Sequence, residues 1–457
     1  MSVHFLSQCG LPTAVLNAWF FIPAREIKWV FSNQFKHSEL APRKSTDPEF
    51  SLRLLSKIFT IGLVGIDGTP VPGMLVSYSK NSLRILGGGV KMCFVMSIVA
   101  SIRSHLSETD LHLHARNLVG ARGGGYPFEK YKLLIEQDAF TALEKDEIDE
   151  IKDNCRRRFG SAVYYPYMVL YKTFDQIRPG GGALKDWMPT DFFNRRVLPK
   201  INHDYRGISR IKTLSKRLIG SDCLPDIGYI LGGRLFDGDM EPVSPSSFVS
   251  AHQDGCSVVY IKADDSNSGH GVLRTDLTAI NDALIAEIGA DCVIQSQIDQ
   301  HAWFEEFCPG SSATIRINTL FYKSDRPRKI GATLRLPAGG DKYTSGHGQR
   351  VGIAVRDDDG NLDEFALDNE WKLTTTHPDS GLQFSGRTIP HFRDAVEMCE
   401  TLHRRLPHIG LIGWDVGIDA TGAPKIMEWN AHSPGLEKAE MTTGPMFSGF
   451  GFEEAYR

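Results

Sequence analysis

The clearest periodic signal lies late in the chain. Residues 410–430 read GLIGWDVGIDATGAPKIMEWN, two runs of alternating character separated by Thr421-Gly422. Alternation with a period of two sends successive side chains to opposite faces of a strand, and a glycine-containing pair between such runs marks a hairpin. If the hairpin closes at Thr421-Gly422, opposed residues have numbers summing to a constant, so Asp419 faces Pro424 and Asp415 faces Glu428. Upstream, Phe392, Ala395, Val396, Cys399, Leu402 and Leu406 recur at helical spacing between Pro390, which suits a helix start, and Pro407, which stops it. Residues 139–160 predict a charged amphipathic helix ended by Gly160.

The middle of the chain predicts short strands at DIGYILGGRLFDG (226–238), CSVVYIKADD (256–265) and SSATIRINTLFY (311–322), with a further strand starting at Val272. In the last of the three quoted runs Arg316 alternates with Ile315 and Ile317 and so points to the opposite face. Strands and helices alternating to the end indicate an α/β or α+β architecture. Residues 1–50 show weak periodicity. Glycine clusters at Gly87–Gly89 and Gly123–Gly125 break the apolar runs of 51–150, and a third, in RPGGGALKDW, suggests a linker around 178–184. Neither of the first two precedes Lys-Ser or Lys-Thr, so they read as turns and not as a P-loop. Three regions follow: 1–150, 151–250 and 251–457.

Composition narrows the classes. The 457 residues carry a formal net charge of −4, with 41% hydrophobic and 23% charged residues, an ordinary globular balance. No basic excess points to nucleic acid or an anionic membrane. The eight cysteines form no Cys-x-x-Cys pair, which predicts reduced thiols in a cytoplasmic protein. The N-terminus has no basic start and reads as mature protein, and the apolar run 90–102 is too short to span a bilayer. His112 and His114 share a face of a possible strand but lack a third metal ligand nearby.

Three constellations carry candidate chemistry. Asp415, Glu428 and Asn430 converge as oxygen ligands on one hairpin face, a set suited to Mg²⁺; solvated acids are the plain alternative. Lys262 near a strand end precedes the Ser/Asn/Gly loop of ADDSNSGHGV, where small residues let backbone N–H groups approach phosphate. Arg316 either pairs with an acid or clamps a phosphate. The loop 338–352 carries five glycines with Lys342, His347 and Arg350 among them, and is expected to cover an acceptor site.

Taken in order, IKTLSKRLIG, VVYIKADDSNSGHGV, VIQSQI, SSATIRINTLFY, HPDSGLQFSGRTIPHF, IGWDVGID and IMEWNAHSPG resemble the ATP-grasp superfamily. More narrowly, they resemble its sugar-transfer-associated, glutamate-ligase-like subgroup, over about residues 185–437. The resemblance implies an α+β ATP-grasp fold with two α+β subdomains clasping ATP, after a small preceding domain and an N-terminal extension. It implies ATP and Mg²⁺ as cofactors. Lys262 would touch the nucleotide phosphates, as would Lys212, with Lys216 competing for that role. Gly269 and Gly271 would lie in the phosphate-covering loop, and Gln295, Ser296, Gln297 and Ile298 in the adenine hinge. Arg316 would face the transferred phosphate, and Asp415, Glu428 and Asn430 would hold the metal. The implied reaction is ligation of a carboxylate to an amine through an acyl-phosphate, on an amino acid or sugar acid. A kinase acting on a small molecule and a non-catalytic nucleotide-binding protein are the rivals. The implied partners are small-molecule carboxylates and amines, with neither nucleic acid nor membrane. Two departures stand out: Asp264 and Asp265 follow Lys262, where acids beside phosphates must point away or meet a cation, and Gln297 stands where glutamate is frequent.

Overall fold

The computed structural model describes residues 125–177, 184–220, 223–266, 271–344 and 348–456, together with a two-stranded antiparallel hairpin, β1 (Leu75–Ser79) and β2 (Ser82–Leu86). The chain divides into two units, Met1–His114 and Ala115–Arg457. Gly87–Gly89, Gly123, Gly124, the pair His112 and His114, most of the glycine linker, Gly269 and His347 lie outside the described residues.

The second unit opens with three helices, α1 (Gly125–Ile135), α2 (Lys145–Phe159) and α3 (Tyr165–Phe174). The expected charged helix is α2. It begins at a capping box between Glu144 and Glu147 and ends at Gly160, whose φ of 76° is the left-handed conformation glycine adopts without penalty. Its apolar stripe, Ile151, Cys155 and Phe159, is buried. Short helical turns lead to α4 (Ser215–Ile219).

A five-stranded antiparallel sheet follows, in the order β4-β3-β7-β5-β6. Its strands are β3 (Asp226–Leu231), β4 (Arg234–Asp237), β5 (Val258–Ala263), β6 (Val272–Asp276) and β7 (Cys292–Ser296). Helices α5 (Pro245–His252) and α6 (Asp282–Ile288) cover its apolar face, burying Phe248 and Ile285 with Ile230, Val259, Ile261 and Ile294. The sheet takes two strands from residues 226–237, so the boundary expected near residue 250 falls inside it.

The larger sheet has seven antiparallel strands in the order β12-β11-β10-β9-β8-β13-β14. They are β8 (Thr314–Leu320), β9 (Arg328–Pro337), β10 (Arg350–Val355), β11 (Leu362–Asp368), β12 (Leu373–Thr374), β13 (Leu411–Ile418) and β14 (Pro424–Asn430). Helix α7 (Phe392–His403) is the expected amphipathic helix. It packs Phe392, Ala395, Cys399 and Leu402 against Ile315, Ile317, Ile412, Trp414 and Val416. The opposite face is divided. One part packs Leu320, Leu367 and Leu411 against α3 and α8 (Leu436–Thr443); the rest stays polar.

The β13–β14 hairpin contains a register shift. Asp415 pairs with Glu428 as expected, but Val416 pairs with Ile426 and Ile418 with Pro424. Asp419 does not pair with Pro424; its carboxylate instead accepts from Thr421 and Ala423 and closes the turn. Met427 is the extra residue, a β-bulge. Its reason is legible in the burial pattern. Ile426 and Trp429 both lie in the apolar core although they are three residues apart, which plain alternation forbids. The bulge puts both inward and so sends Glu428 and Asn430 to the polar face. Among the described residues, no helix is long and apolar enough to cross a membrane.

Candidate functional site

A row of polar side chains crosses the large sheet on its polar face. Thr333 pairs with Arg316, Arg316 with Asp415 and Asp415 with Glu428, on four neighbouring strands. Alternation places them there, since Ile315, Ile317, Trp414 and Val416 face the core behind α7. Gly413 leaves the space beside them open. A methyl group on it would come within 2.9 Å of Arg316 Nη1 and 3.0 Å of Asn318 Oδ1.

Arg316 grips Asp415 with two parallel bonds, Nε to Oδ1 at 2.7 Å and Nη2 to Oδ2 at 2.9 Å, and donates through Nη1 to the Pro434 carbonyl. The two side chains are 7% and 13% exposed. Arg335 on β9 approaches the same carboxylate at 3.4 Å, and Asn430 Nδ2 donates to it at 3.3 Å. Burial pushes the Asp415 carboxyl up, but Arg316, Arg335 and Arg350 outweigh it and hold the group below its usual value. Arg316 thus spends three donors, two on Asp415 and one on the Pro434 carbonyl just after β14, the pairing with an acid that its place on the strand allowed. Two of its five N–H groups remain.

Glu428 is the open end of the row. Its nearest cation is Lys212, with Nζ 3.9 Å from Oε1 and the carboxylate one-third exposed. Asp415, Glu428 and Asn430 therefore converge as a pair of carboxylates and an amide. Among the described residues, no group of three or more His, Cys, Asp or Glu side chains is placed to hold a metal. A cation here would share two carboxylates and the Asn430 amide oxygen with outside ligands. That donor set is hard and incomplete, which fits Mg²⁺ bound together with phosphates.

The small sheet contributes from above. Lys262 on β5 reaches across to the carbonyl of the bulge residue, Met427, at 3.2 Å. Burial pushes the Lys262 ammonium down, against the pull of Glu428 and Asp226. Lys212 is buried. It donates to the Ala263 carbonyl and to the Ser266 carbonyl and hydroxyl, at 3.2, 2.8 and 3.0 Å. It thereby pins the start of the Ser/Asn/Gly loop, whose far end is fixed by Ala263 N–H donating to the Gly271 carbonyl. Gly271 has φ of 72°, and a Cβ there would lie 2.9 Å from Ser266 Cβ, so only glycine fits. Lys216, the competing lysine, reaches only the Asp226 carbonyl, at 3.5 Å. The two acids after Lys262 are both turned away. Asp264 accepts from the Thr213 N–H and hydroxyl, and Asp265 pairs with Arg210 at 2.8 Å.

The hinge residues run from β7 into the connection to the large sheet. Gln295 is buried and donates to Asp226 Oδ1 at 2.7 Å. Ser296 and Gln297 N–H groups donate to the Pro225 and Val258 carbonyls, and the Gln297 side chain accepts from Arg274 at 3.4 Å. Ile298 faces Gly417 of β13, where an added methyl would meet Ile298 Cδ1 at 3.5 Å and Met427 Sδ at 3.6 Å. Hinge, bulge and Lys262 thus border one cleft between the sheets.

Residues 248–449 match the family described as sugar-transfer associated ATP-grasp. Over these residues the chain is similar to the ATP-grasp superfamily. No curated protein matches the sequence. Solved structures similar to this chain include an ADP complex of N5-carboxyaminoimidazole ribonucleotide synthetase (purK), 12% identical over 50% of this chain and 46% of that one, with a TM-score of 0.31. The VanG D-Ala:D-Ser ligase of Enterococcus faecalis is 10% identical over 54% and 60%, with a TM-score of 0.33. The N5-carboxyaminoimidazole synthase of Aspergillus clavatus is 8% identical over 54% and 53%, with a TM-score of 0.32. The chain spans about half to three-fifths of the length of these structures.

Sequence reasoning missed two contributors on the polar face, Arg335 and Lys438, and placed a third, Arg350, in a loop. Arg335 alternates with Leu334 and Leu336 as Arg316 does with its isoleucines, so the same signal was present. Arg350, expected in the glycine-bearing loop 338–352, is the first residue of β10; before it, Ala338 N–H donates to the Gln349 carbonyl and Ser312 N–H to the Lys342 carbonyl. Lys438 sits on α8, where no local pattern marks it.

Proposed function

We propose that this ATP-grasp chain is an ATP-dependent ligase that joins a carboxylate to an amine. The supporting observation is the opposed pair Asp415 and Glu428, embedded among cations from both sheets. Two carboxylates directly across a strand pair repel. Arg316 neutralises one of them, and the other faces the cleft bordered by Lys212, Lys262 and the hinge. ATP would lie in that cleft, its adenine along Gln295–Ile298 and its phosphates toward Lys262, Lys212 and the loop ending at Gly271.

Asp415, Glu428 and Asn430 would hold Mg²⁺, which when bound neutralises charge on the phosphates. The chain's own groups do the rest. Lys262 draws the phosphates toward the bulge. Arg316 keeps Asp415 ionised and fixed, and its two remaining N–H groups are free to donate to a transferred phosphoryl group. A substrate carboxylate oxygen attacks the γ-phosphorus and ADP leaves. The amine then attacks the acyl carbon, phosphate departs, and the amine's proton goes to solvent.

The experiment is release of ADP and of inorganic phosphate over pooled carboxylates and amines, for the wild type and Glu428→Gln. The expected result is equimolar ADP and phosphate in the wild type, with turnover falling by roughly 10²-fold in the variant. ADP without phosphate would replace ligation by phosphorylation of the acceptor. Full turnover in Glu428→Gln at low Mg²⁺ would remove the acid row from the reaction.

A further inference from the structure

Beside the acid row, on the side away from β14, the polar face opens into a cavity of about 200 Å³ bordered by β9, β10, the end of β11 and α8. Arg335, Arg350 and Lys438 line it, with Thr333, Asn369 and a single acid, Glu437. Arg335 joins it to the row, since one guanidinium nitrogen lies 3.4 Å from Asp415. Arg350 Nε donates to Asn369 Oδ1 at 3.1 Å. Lys438 Nζ donates to the Asp368 carbonyl at 2.7 Å and lies 5.0 Å over the Trp371 ring. Among the described residues, neither Arg350 nor Lys438 has a carboxylate within ion-pair distance.

Partly buried cations without counterions are costly, and the usual solution is a bound anion. A second observation points the same way. Thr333 is 8% exposed, and its hydroxyl has no hydrogen-bond partner among the described residues. Small residues keep the space free. Gly352 lies between Arg350 and Ala354 on the same strand. Gly435, at φ of 73°, leads into α8, and a Cβ there would lie 3.4 Å from Arg316 Nη1 and 3.7 Å from Arg335 Nη2.

We propose that this cavity binds the carboxylate or phosphate group of a small acidic acceptor substrate, gripped by Arg335, Arg350 and Lys438 and by the Thr333 hydroxyl. The guanidinium forks match both anions in geometry. The volume is below that of a drug-sized pocket, so the acceptor is a small acid. It would lie next to the carboxylate row with its reacting group toward Asp415. The assignment of this anion as the acceptor rests on the ligase reading; the anion site itself does not.

The test is calorimetric titration without nucleotide, using succinate, inorganic phosphate and neutral succinamide as probes. It compares the wild type with Arg350→Gln/Lys438→Gln. The wild type should bind succinate or phosphate and not succinamide, and whichever anion binds more tightly identifies the group recognised. The double variant should weaken that binding at least about tenfold while leaving affinity for a non-hydrolysable ATP analogue unchanged. It should also melt no lower than the wild type, because it removes unpaired cations; a structural role for Arg350 and Lys438 would lower the melting temperature. Equal anion affinity in both proteins, or no anion binding to the wild type, overturns the site. A parallel loss of ATP-analogue affinity reassigns the cavity to the nucleotide and overturns the acceptor role. Failure of the ligase reading alone would leave the nucleotide-free titration positive.

Discussion

Replacing Arg316 by methionine would leave the Asp415 carboxylate buried at 13% exposure with its two short bonds gone. Removing one partner of a buried ion pair costs about 3–5 kcal/mol, because the remaining charge is stranded, whereas replacing both partners by uncharged groups is close to neutral. Arg335, 3.4 Å away, compensates in part, so Arg316→Met should fall near the lower end, about 3 kcal/mol. With a urea slope of roughly 3 kcal/mol/M for a chain of this size, the midpoint drops by about 1 M. Trp414 and Trp429, buried and stacked with ring centroids 6.4 Å apart, report the unfolding by fluorescence. The double variant Arg316→Met/Asp415→Asn should recover most of the loss. The sign with pH follows from Asp415. Its carboxyl is held below its usual value in the fold, so its contribution is present above the unfolded value near 3.8 and disappears as pH falls through the folded value. The gap between wild type and Arg316→Met should therefore close below about pH 4. If the single variant is as stable as the double one at pH 7, the pair is not the electrostatic anchor described here.

Other expectations follow from single contacts. Lys262→Ala should lower affinity for a non-hydrolysable ATP analogue about tenfold or more with no change in melting temperature, measured by calorimetry. His403 is buried behind the row, linked to the Thr319 hydroxyl and the Ile409 carbonyl at 2.7 Å each, and burial pushes it down to about 4. Its folded value lies below the unfolded 6.5, so stability is lost as pH falls from 6.5 toward 4. Between pH 7.5 and 5 the wild type should lose about 2 kcal/mol more than His403→Gln in urea titrations. Gly435→Ala should destabilise by about 1 kcal/mol, because φ is positive there, while the methyl itself would meet Arg316 only at an ordinary contact distance. A thermal melt checks it.

The features legible in the sequence were those carried by local alternation. Asp415 opposite Glu428, Arg316 opposite its isoleucine neighbours, and the stripe of α7 all follow from periods of two or 3.6 over a few residues. The turn-side register did not, because the bulge at Met427 answers to burial of Ile426 and Trp429, and only the packed core shows that both face inward. Arg316 could not be matched to Asp415 in advance. The two are 99 residues apart, and strand order in a seven-stranded sheet is not written in any one strand. The same holds for Lys212, whose contacts with Ser266 and Glu428 come from three separate segments, and for the cavity cations on β9, β10 and α8. The sheet strands at 226–237 were visible as strands, but nothing local said which sheet they join.

The bulge at Met427 also makes the hairpin a two-part device. Below it, the tip from Ile418 to Pro424 keeps its own phase; above it, the acids keep theirs. The tip is held on its own terms: Ala420 N–H donates to the Asp299 carbonyl, and a Cβ on Gly422 would collide with His391 Nε2, so its length is fixed by the hinge connection and α7 and not by the acids. A one-residue deletion at Met427 is a different matter. It would bring the two halves into phase by rotating either Ile426 out of the core or Glu428 into it. This small irregularity lets two separately anchored halves of one hairpin coexist.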